Sequence, residues 1–494
     1  MKNCCTSRIR QYFNKNDNKE LKSDGSHSKQ YMAAICACIT IAVCGGGQSW
    51  SSPAIPYLTS KNSPFLVTDY QVTWISSLYN VGDLIGVLLN PLFIDRIGRK
   101  NTLLLSALPG LIGWCLIIFA KNYIHLYIAR LLTGISQGST LNCLVIYLTE
   151  ISEKNIRGRL VNILHLSLSF GVFVFSAISA FTSYYILNIS AALLMLLFLF
   201  VFPLSPETPY YYLLQQKKDD ATKCMMRLRG FNSSEKVENE IREMILAIEE
   251  DRKNTKRFAV WELFSKSYNR KAVLIMFFMK MTQIMSGVNP LTYNAEEILS
   301  HNNLPIKPGV QVVMWHGIAL PASLITGWIL DKFERKIIFL SSGVFTTLCL
   351  IALGIYFFIT DYLHKDTSSY GWLPLVALIV FQMSYTFGIG SIPYIIQGEL
   401  FPIQVKGSAV CLGRIITDVF AFATTAGYHP MSNAYGAYTT LWFFALVTLF
   451  GSLVSFWIAI DTLRKSLEEI QALQNPELGR KLELERQNTL SRRR

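Results

Sequence analysis

The hexapeptide DRIGRK at 95–100 recurs, with changes, as DKFERK at 331–336. Each copy follows the second long apolar segment of its half of the chain and places an aspartate before a cluster of bases. A motif that returns at the same place in each half of a chain indicates a duplicated structural unit. The sequence therefore predicts two similar halves, in which these hexapeptides are corresponding loops.

Two further pairs of acidic and basic motifs keep the same order in both halves. In the first pair, Glu150 precedes Arg157 by seven residues, as Glu399 precedes Lys406 in the second half. In the second pair, Glu207-Thr208 of the first half corresponds to Asp461-Thr462 of the second. Pairs in one order indicate a six-helix unit repeated in parallel, with a cavity between the two bundles near the membrane midplane. This arrangement is typical of transporters.

The composition is that of a membrane protein. Of the 494 residues, 51% are hydrophobic and 16% charged, and apolar stretches of about 20 residues, long enough to span a bilayer, recur along the chain. A secreted disulfide scaffold and a disordered protein are excluded. We predict an all-α membrane protein with twelve transmembrane helices in two six-helix bundles. The predicted spans are 33–50, 71–94, 102–120, 124–149, 160–181, 184–203, 272–299, 308–330, 337–360, 371–396, 407–428 and 438–460.

Basic residues are concentrated in the tails and loops on one side of the predicted membrane. The positive-inside rule places that side, with both termini, in the cytosol. The formal charge of +13 therefore reflects topology and not nucleic-acid binding. Apolar residues at helical spacing predict linker helices over 219–230 and 236–249. The predicted organisation is a cytosolic tail at 1–32, a bundle at 33–203, cytosolic linker helices at 204–271, a bundle at 272–460 and a cytosolic tail at 461–494.

Together these motifs resemble the sugar-porter branch of the major facilitator superfamily, over residues 33 to 470. The motifs that carry the resemblance are DRIGRK at 95–100, Arg130-x-x-x-Gly134, Tyr147-x-x-Glu150 before Arg157-Gly158-Arg159, PETP at 206–209, Gln283 to Asn289, and ELFP at 399–402. The segment SSPAIPYL at 51–58 looks most like the insect facilitated trehalose and glucose transporter group. The resemblance implies the major facilitator fold and a plasma-membrane carrier that moves a hexose or trehalose by alternating access.

The resemblance also implies a cytosolic gate of ion pairs, formed when the inner side is closed. Its predicted members are Asp95, Arg96, Arg99, Glu150, Arg157, Glu207, Asp331, Arg335, Glu399 and Lys406. The second half departs from the family pattern, because Glu334 replaces a glycine and Lys406 replaces an arginine. Lysine cannot make the planar bidentate pair of arginine. The gate is therefore expected to be weaker in the second half.

Polar residues within the spans are the candidates for the substrate site, because buried polar groups in a membrane mark a function. Gln283 and Asn289 lie six residues apart, on different faces of an ideal helix, but Gly287 and Pro290 can break that helix so that both amides face one cavity. An amide offers donors and an acceptor to sugar hydroxyls. The family resemblance adds Tyr293 as a residue that closes the site from outside.

The predicted pocket departs from the family pattern at several positions. His165 and Ile284 stand where the family has glutamine, and Tyr394 where it has tryptophan. Thr417-Asp418 replaces an expected Asn-Trp pair. His165, Tyr394 and Thr417 remain candidate sugar contacts, since imidazole and hydroxyl groups can bond a hydroxyl and an aromatic ring can stack on a sugar face.

Span 1 contains no acidic residue, which favours uniport over proton coupling. Asp83 and Asp418 are nevertheless ionisable residues at membrane depth and stay candidates for coupling. Arg414, four residues before Asp418, suggests a structural ion pair along one helix. Two alternatives remain open: a proton-coupled sugar symporter, and a sensor or carrier for another small polar solute.

No enzyme motif, metal-ligand spacing or cofactor motif is present in the sequence, so we expect neither catalysis nor a cofactor or metal. The expected partners are a small-molecule sugar and the lipid bilayer. A monomer suffices for such a carrier.

Overall fold

The computed structural model describes residues 27–61, 63–153, 155–231, 233, 235–254, 263–302, 304–401 and 403–459. Within these residues, twelve helices are long and apolar enough to cross a bilayer. We number them as spans 1 to 12: Ser28–Ser49, Asp69–Ile97, Arg99–Ile118, Tyr123–Ile151, Arg157–Phe181, Tyr184–Leu204, Tyr268–Tyr293, Pro308–Leu330, Arg335–Tyr362, Leu373–Leu400, Gly407–Tyr435 and Ala437–Ile458. Each overlaps the span predicted at its place in the sequence. The predicted all-α membrane fold is confirmed.

Shorter helices extend or connect the spans: Ser51–Thr59, Pro209–Leu214, Lys218–Arg229, Glu235–Asn254 and Ala295–Ser300. The middle three form the linker between the halves. They pack through a small apolar core that includes Met225, Val237 and Ile241. Buried Arg229 joins this linker to the first half, because its guanidinium donates to the Ile151 carbonyl at 2.9 Å. We call the side of the bundles that carries the linker the linker face, and the opposite side the far face.

Glycines allow spans 2 and 4 to approach each other closely. A Cβ atom added to Gly134 would overlap the carbonyl of Tyr79, and one added to Gly138 would overlap the carbonyl of Asp83. With no side chains between them, the two helices pack backbone to backbone. This packing holds the middle of span 2, with Asp83, in a fixed position at the interface between the halves.

Spans 7, 8 and 10 are each divided into two helical segments. The segments are Ser267–Met285 with Val288–Tyr293, Pro308–Gly317 with Ala319–Lys332, and Leu373–Phe387 with Ile392–Leu400. Gly287 has a φ of 80°, a left-handed conformation that glycine adopts without strain, and it separates the two segments of span 7. The predicted break in span 7 is therefore confirmed. It lies against the break in span 10, because the Gln283 side chain donates to the Gly390 carbonyl at 2.7 Å.

Candidate functional site

An ion cluster lies where spans 2 and 11 meet in the middle of the membrane. Arg414 of span 11 forms an ion pair with Asp83 of span 2, and its Nε lies 3.5 Å from Oδ1 of Asp418, one helical turn along span 11. Asp83 and Asp418 are only 5% and 3% exposed. The guanidinium therefore joins the two halves and is shared between one carboxylate from each. The pairing of Arg414 with Asp418 agrees with the sequence spacing, whereas the pairing with Asp83 was not predicted.

Lys280 lies next to this cluster on span 7. Its ammonium lies 3.2 Å from the centre of the Tyr394 ring and 3.3 Å from Oε1 of Gln283. A cation over an aromatic face is attracted by the ring quadrupole, most strongly where water is excluded. Lys280 is 1% exposed, so this contact and the amide oxygen account for the position of a lysine within span 7.

Two exposed side chains, one from each half, indicate a water-accessible space beside this cluster. His165 of span 5 and Tyr394 of span 10 belong to different halves, and their ring centres lie 6.4 Å apart. Both side chains are nevertheless exposed, Tyr394 by 43%. Residues that face each other across two bundles and still contact solvent line a cavity rather than a packed core.

Toward the far face, the same interface is closed. The Tyr293 hydroxyl donates to Oδ1 of Asn80 at 3.1 Å, and the Asn80 amide donates to the Thr425 hydroxyl at 3.2 Å. All three side chains are buried. Further bonds between the halves join Ser52 with Glu296, Asp69 with Asn433, and Ser176 with His316. The cavity is therefore sealed from the far face.

Glu296 makes the far-face closure sensitive to pH. Burial raises the pKa of its carboxyl from 4.5 to about 7, and burial also raises the pKa of neighbouring Glu297. A carboxyl that is buried in the closed state and freed in the open state binds its proton more tightly when closed. The closed state should lose stability as pH rises from 4.5 to 7, and no further above that range.

We expect this dependence to appear in a thiol-labelling experiment. In a chain whose native cysteines are replaced, Thr425→Cys should react faster with a membrane-impermeant reagent at pH 7.5 than at pH 5.5, after correction for thiol ionisation with a free thiol. Glu296→Gln should remove most of the difference, whereas Glu238→Gln, an exposed linker glutamate, should retain it. Equal pH dependence in all three proteins would contradict the assignment.

The predicted cytosolic gate residues lie at the linker face, where the described ion pairs connect helices of the same half. In the first half, Arg99 lies 3.2 Å from Asp95 and 2.9 Å from Glu150. In the second half, Arg335 pairs with Glu399. These pairs hold the ends of neighbouring spans together within each bundle. Arg157 is an exposed residue at the start of span 5, and the side chains of Asp331 and Lys406 lie outside the described residues.

Glu207 has a role at this face that the motif did not indicate. Its carboxylate accepts hydrogen bonds from the backbone N–H groups of Arg99, Lys100 and Thr208, at 3.1, 3.1 and 2.8 Å. The N-terminus of span 3 thus receives a carboxylate, which its helix dipole favours. Burial nevertheless raises the pKa of Glu207. The backbone carbonyl of Arg96, at the end of span 2, accepts a hydrogen bond from the Tyr211 hydroxyl at 3.2 Å.

The predicted sugar-binding residues differ in how exposed their side chains are. Gln283 is buried and bonded on both sides of its amide, to Lys280 and to the Gly390 carbonyl. Asn289 lies half-buried on the far segment of span 7. Thr417 is buried, and its hydroxyl donates to the Gly413 carbonyl of its own helix at 2.9 Å. His165 and Tyr394 are therefore the predicted residues that face the cavity most directly in this state.

Sequence reasoning missed Tyr79, Gln137 and Asn80. The Tyr79 hydroxyl donates to Gln137, whose amide lies 3.5 Å from Asp83. Tyr79 and Gln137 orient the first-half carboxylate of the ion cluster, whereas Asn80 bonds Tyr293 and Thr425 of the second half. Their polarity within apolar spans was a visible signal, but nothing in the spacing indicated their partners. Among the described residues, no group of three or more histidine, cysteine or acidic side chains could hold a metal ion.

Comparison with known proteins agrees with this architecture. The family model described as "Sugar (and other) transporter" matches residues 9–473. The facilitated trehalose transporter Tret1 of Bombyx mori is 27% identical over 443 residues, which cover 90% of this chain and 86% of that protein. Tret1 of Apis mellifera ligustica is 27% identical over 457 residues, covering 92% and 90%. Tret1 of Aedes aegypti is also 27% identical, but the chain spans about half of that protein, 54%.

Solved structures show the same fold. The xylose transporter XylE from E. coli, in a structure described as a partially occluded inward open conformation, aligns with a TM-score of 0.75 and 16% identity, over 89% of this chain and 100% of that one. A second XylE structure, described as inward open, aligns with a TM-score of 0.73 and 17% identity, over 90% and 99%.

Proposed function

The chain belongs to the sugar (and other) transporter family, and from this we propose that it carries a sugar across a membrane by facilitated, alternating-access transport. The observation that supports the mechanism most directly is that the interface between the two halves exposes side chains on one side and is closed by buried hydrogen bonds on the other. The interface is open at His165 and Tyr394 and sealed beyond Asn80. A solute that enters from the linker face reaches the middle of the membrane and is stopped there, as alternating access requires.

We assign the linker face to the cytosol and the protein to the plasma membrane. The basic loops between spans lie on that face, and the positive-inside rule supports this orientation. In the described state the carrier then faces inward. Transport requires the bonds from Asn80 to Tyr293 and Thr425 to break while the halves close over the linker side of the cavity.

The ion cluster favours uniport over proton coupling. A carboxylate that carries protons must become free of its cation during the cycle, but Asp83 and Asp418 share Arg414 in the state that faces the cytosol. Both acids therefore have a structural use. The absence of an acid in span 1 of the sequence agrees with this assignment.

The proposed substrate is a hexose or trehalose. The relatives that share 27% identity are named as trehalose transporters, and the cavity offers groups that bind hydroxyls. We propose that His165, Tyr394 and Asn289 contact the sugar, with Gln283 beside them. One face of the Tyr394 ring already carries the Lys280 ammonium, so sugar stacking would use the other face.

Uptake of labelled glucose, fructose and trehalose tests this function. Cells in which the chain is verified at the surface should show saturable uptake of at least one of the three, at two external pH values and with a protonophore present. Uptake that collapses with the proton gradient would overturn the uniport assignment. A surface-verified chain that transports none of them would overturn the sugar assignment.

We expect Asn289→Ala to lower sugar uptake by roughly fivefold, since a lost hydrogen bond to a solute hydroxyl costs about 1 kcal/mol. Gln283→Ala should lower uptake further, because it also leaves Lys280 and the Gly390 carbonyl without their bonds. The matched control is Gln215→Ala, which removes an exposed linker amide. Uptake constants measured at equal surface expression decide the result. If both variants take up sugar as fast as Gln215→Ala, neither Gln283 nor Asn289 belongs to the substrate site.

A further inference from the structure

Lys280 differs from Arg414, the other cation of the central cluster, in having no ion-pair partner among the described residues. Arg414 contacts two carboxylates, whereas no carboxylate of the described residues lies within 4 Å of the Lys280 ammonium. Its contacts are the Tyr394 ring at 3.2 Å and the Gln283 amide oxygen at 3.3 Å. Asp418 attracts it from farther away and Arg414 repels it. Its charge is therefore compensated only in part.

The ammonium is separated from the cavity by one side chain. Lys280 itself is 1% exposed, but the Tyr394 ring that covers it is 43% exposed. A rotation of this single ring would bring the ammonium into contact with a solute in the cavity. Gln283, a proposed neighbour of the sugar, lies one helical turn from Lys280 on the same helix. A solute at Gln283 would therefore have its acidic group within reach of Lys280.

A buried cation of this kind has a cost that a neutral substrate does not remove. Taking an ammonium out of water is unfavourable by several kcal/mol unless a counter-charge is supplied. Neutral sugars are held by hydroxyl contacts and need no cation. A carboxylate on the solute would supply the missing charge in a charge-assisted hydrogen bond, which is about twice as strong as a neutral one.

We propose that Lys280 binds the carboxylate of an acidic sugar, a uronate or aldonate, and thereby extends the substrate range beyond neutral sugars. The proposal rests on the sugar-transport function proposed above. The favoured solute is a monoanion, because Lys280 offers a single ammonium that has no carboxylate of the described residues in direct contact. A sugar phosphate would bring a second negative charge close to Asp83 and Asp418, which already share a single cation.

The wild-type chain tests the proposal first. Labelled glucuronate and gluconate should be taken up by cells that express the chain at the surface, and unlabelled glucuronate should compete with glucose uptake. Because transport of a monoanion moves net charge, glucuronate should also produce an electrical current, whereas glucose should not. Glucose 6-phosphate serves as the phosphate probe and should neither compete nor produce a current.

Lys280→Gln should then lower glucuronate uptake and current by at least about tenfold, the value of one charge-assisted hydrogen bond. Glucose uptake should fall by a smaller factor, through the lost contacts of Lys280 with Gln283 and Tyr394. Lys280→Arg should retain part of the acidic-sugar uptake. Lys271→Gln, which removes an exposed lysine near the start of the same helix, is the matched control and should behave as wild type. Because glucose uptake reports folding and the neutral contacts of residue 280, the additional loss of glucuronate uptake identifies the role of the charge.

The failure of this inference can be distinguished from the failure of the proposed function. Saturable glucose uptake that glucuronate and gluconate neither inhibit nor share would overturn the role of Lys280 and leave the sugar carrier intact. Equal loss of glucose and glucuronate uptake in Lys280→Gln and Lys280→Arg would assign Lys280 a structural role and overturn the proposal. Transport of neither neutral nor acidic sugars would overturn both. Competition by glucose 6-phosphate as strong as that by glucuronate would overturn the restriction to monoanions.

Discussion

Arg414→Gln should abolish most sugar uptake and lower the free energy of unfolding by roughly 3 to 5 kcal/mol, the range measured when one partner of a buried ion pair is removed. The substitution leaves the carboxylates of Asp83 and Asp418 at membrane depth without their cation. It also removes an ionic link between spans 2 and 11. Thermal unfolding in detergent and uptake at equal surface expression are the measurements.

The order of the related variants follows from the geometry. Asp83→Asn should be milder than Arg414→Gln, because Arg414 keeps Asp418 one turn away on its own helix. The triple change of Asp83, Asp418 and Arg414 to neutral amides should recover part of the lost stability, since no carboxylate of the cluster then lacks its cation. Arg159→Gln, at an exposed position of the linker face, is the control. A melting temperature of Arg414→Gln equal to that of the control would contradict the structural role of the cluster.

Much of the fold could be predicted because its determinants are local. A span needs about 20 apolar residues whatever its neighbours are, and the repeated acidic and basic motifs mark the same turns in both halves. The break at Gly287 was also predictable, because glycine followed by proline weakens a helix from within. Boundaries were less accurate. Span 1 begins at Ser28 and not near residue 33, since its first turns pack against the linker, and hydropathy does not register that contact.

The candidate site was less predictable because its contacts join distant parts of the chain. Asp83 and Arg414 are 331 residues apart in sequence, and spacing along one helix indicated only the pair of Arg414 with Asp418. Lys280 had no visible partner because its contact is an aromatic face, which charge patterns do not reveal. The motif placed Glu207 in an ion-pair gate, but its carboxylate accepts hydrogen bonds from backbone N–H groups. Because nearly every residue has a backbone N–H group, the sequence does not show which of them a carboxylate will bind.

Arg130→Lys should be as damaging as the loss of an ion pair, although it conserves charge. Arg130 is fully buried, and its guanidinium donates to the carbonyls of Ile75 and Gly47 at 3.1 and 2.9 Å and to the Ser51 hydroxyl at 3.4 Å. It also lies 4.2 Å from the centre of the Tyr79 ring. One planar cation thus joins spans 1, 2 and 4 near the far face.

A lysine ammonium at this position cannot reach acceptors on several helices at once, because its donors radiate from one atom. With hydrogen bonds to a charged group worth about 1.5 to 3 kcal/mol each, we expect the free energy of unfolding to fall by about 3 kcal/mol or more. Sugar uptake should fall with it, because Tyr79 and Gln137 would lose their support and Asp83 its orientation. Arg159→Lys, an exposed position at the linker face, should change neither quantity. If Arg130→Lys unfolds at the wild-type temperature, the structural role of the Arg130 guanidinium is contradicted, and the far-face helices are held together by their packing alone.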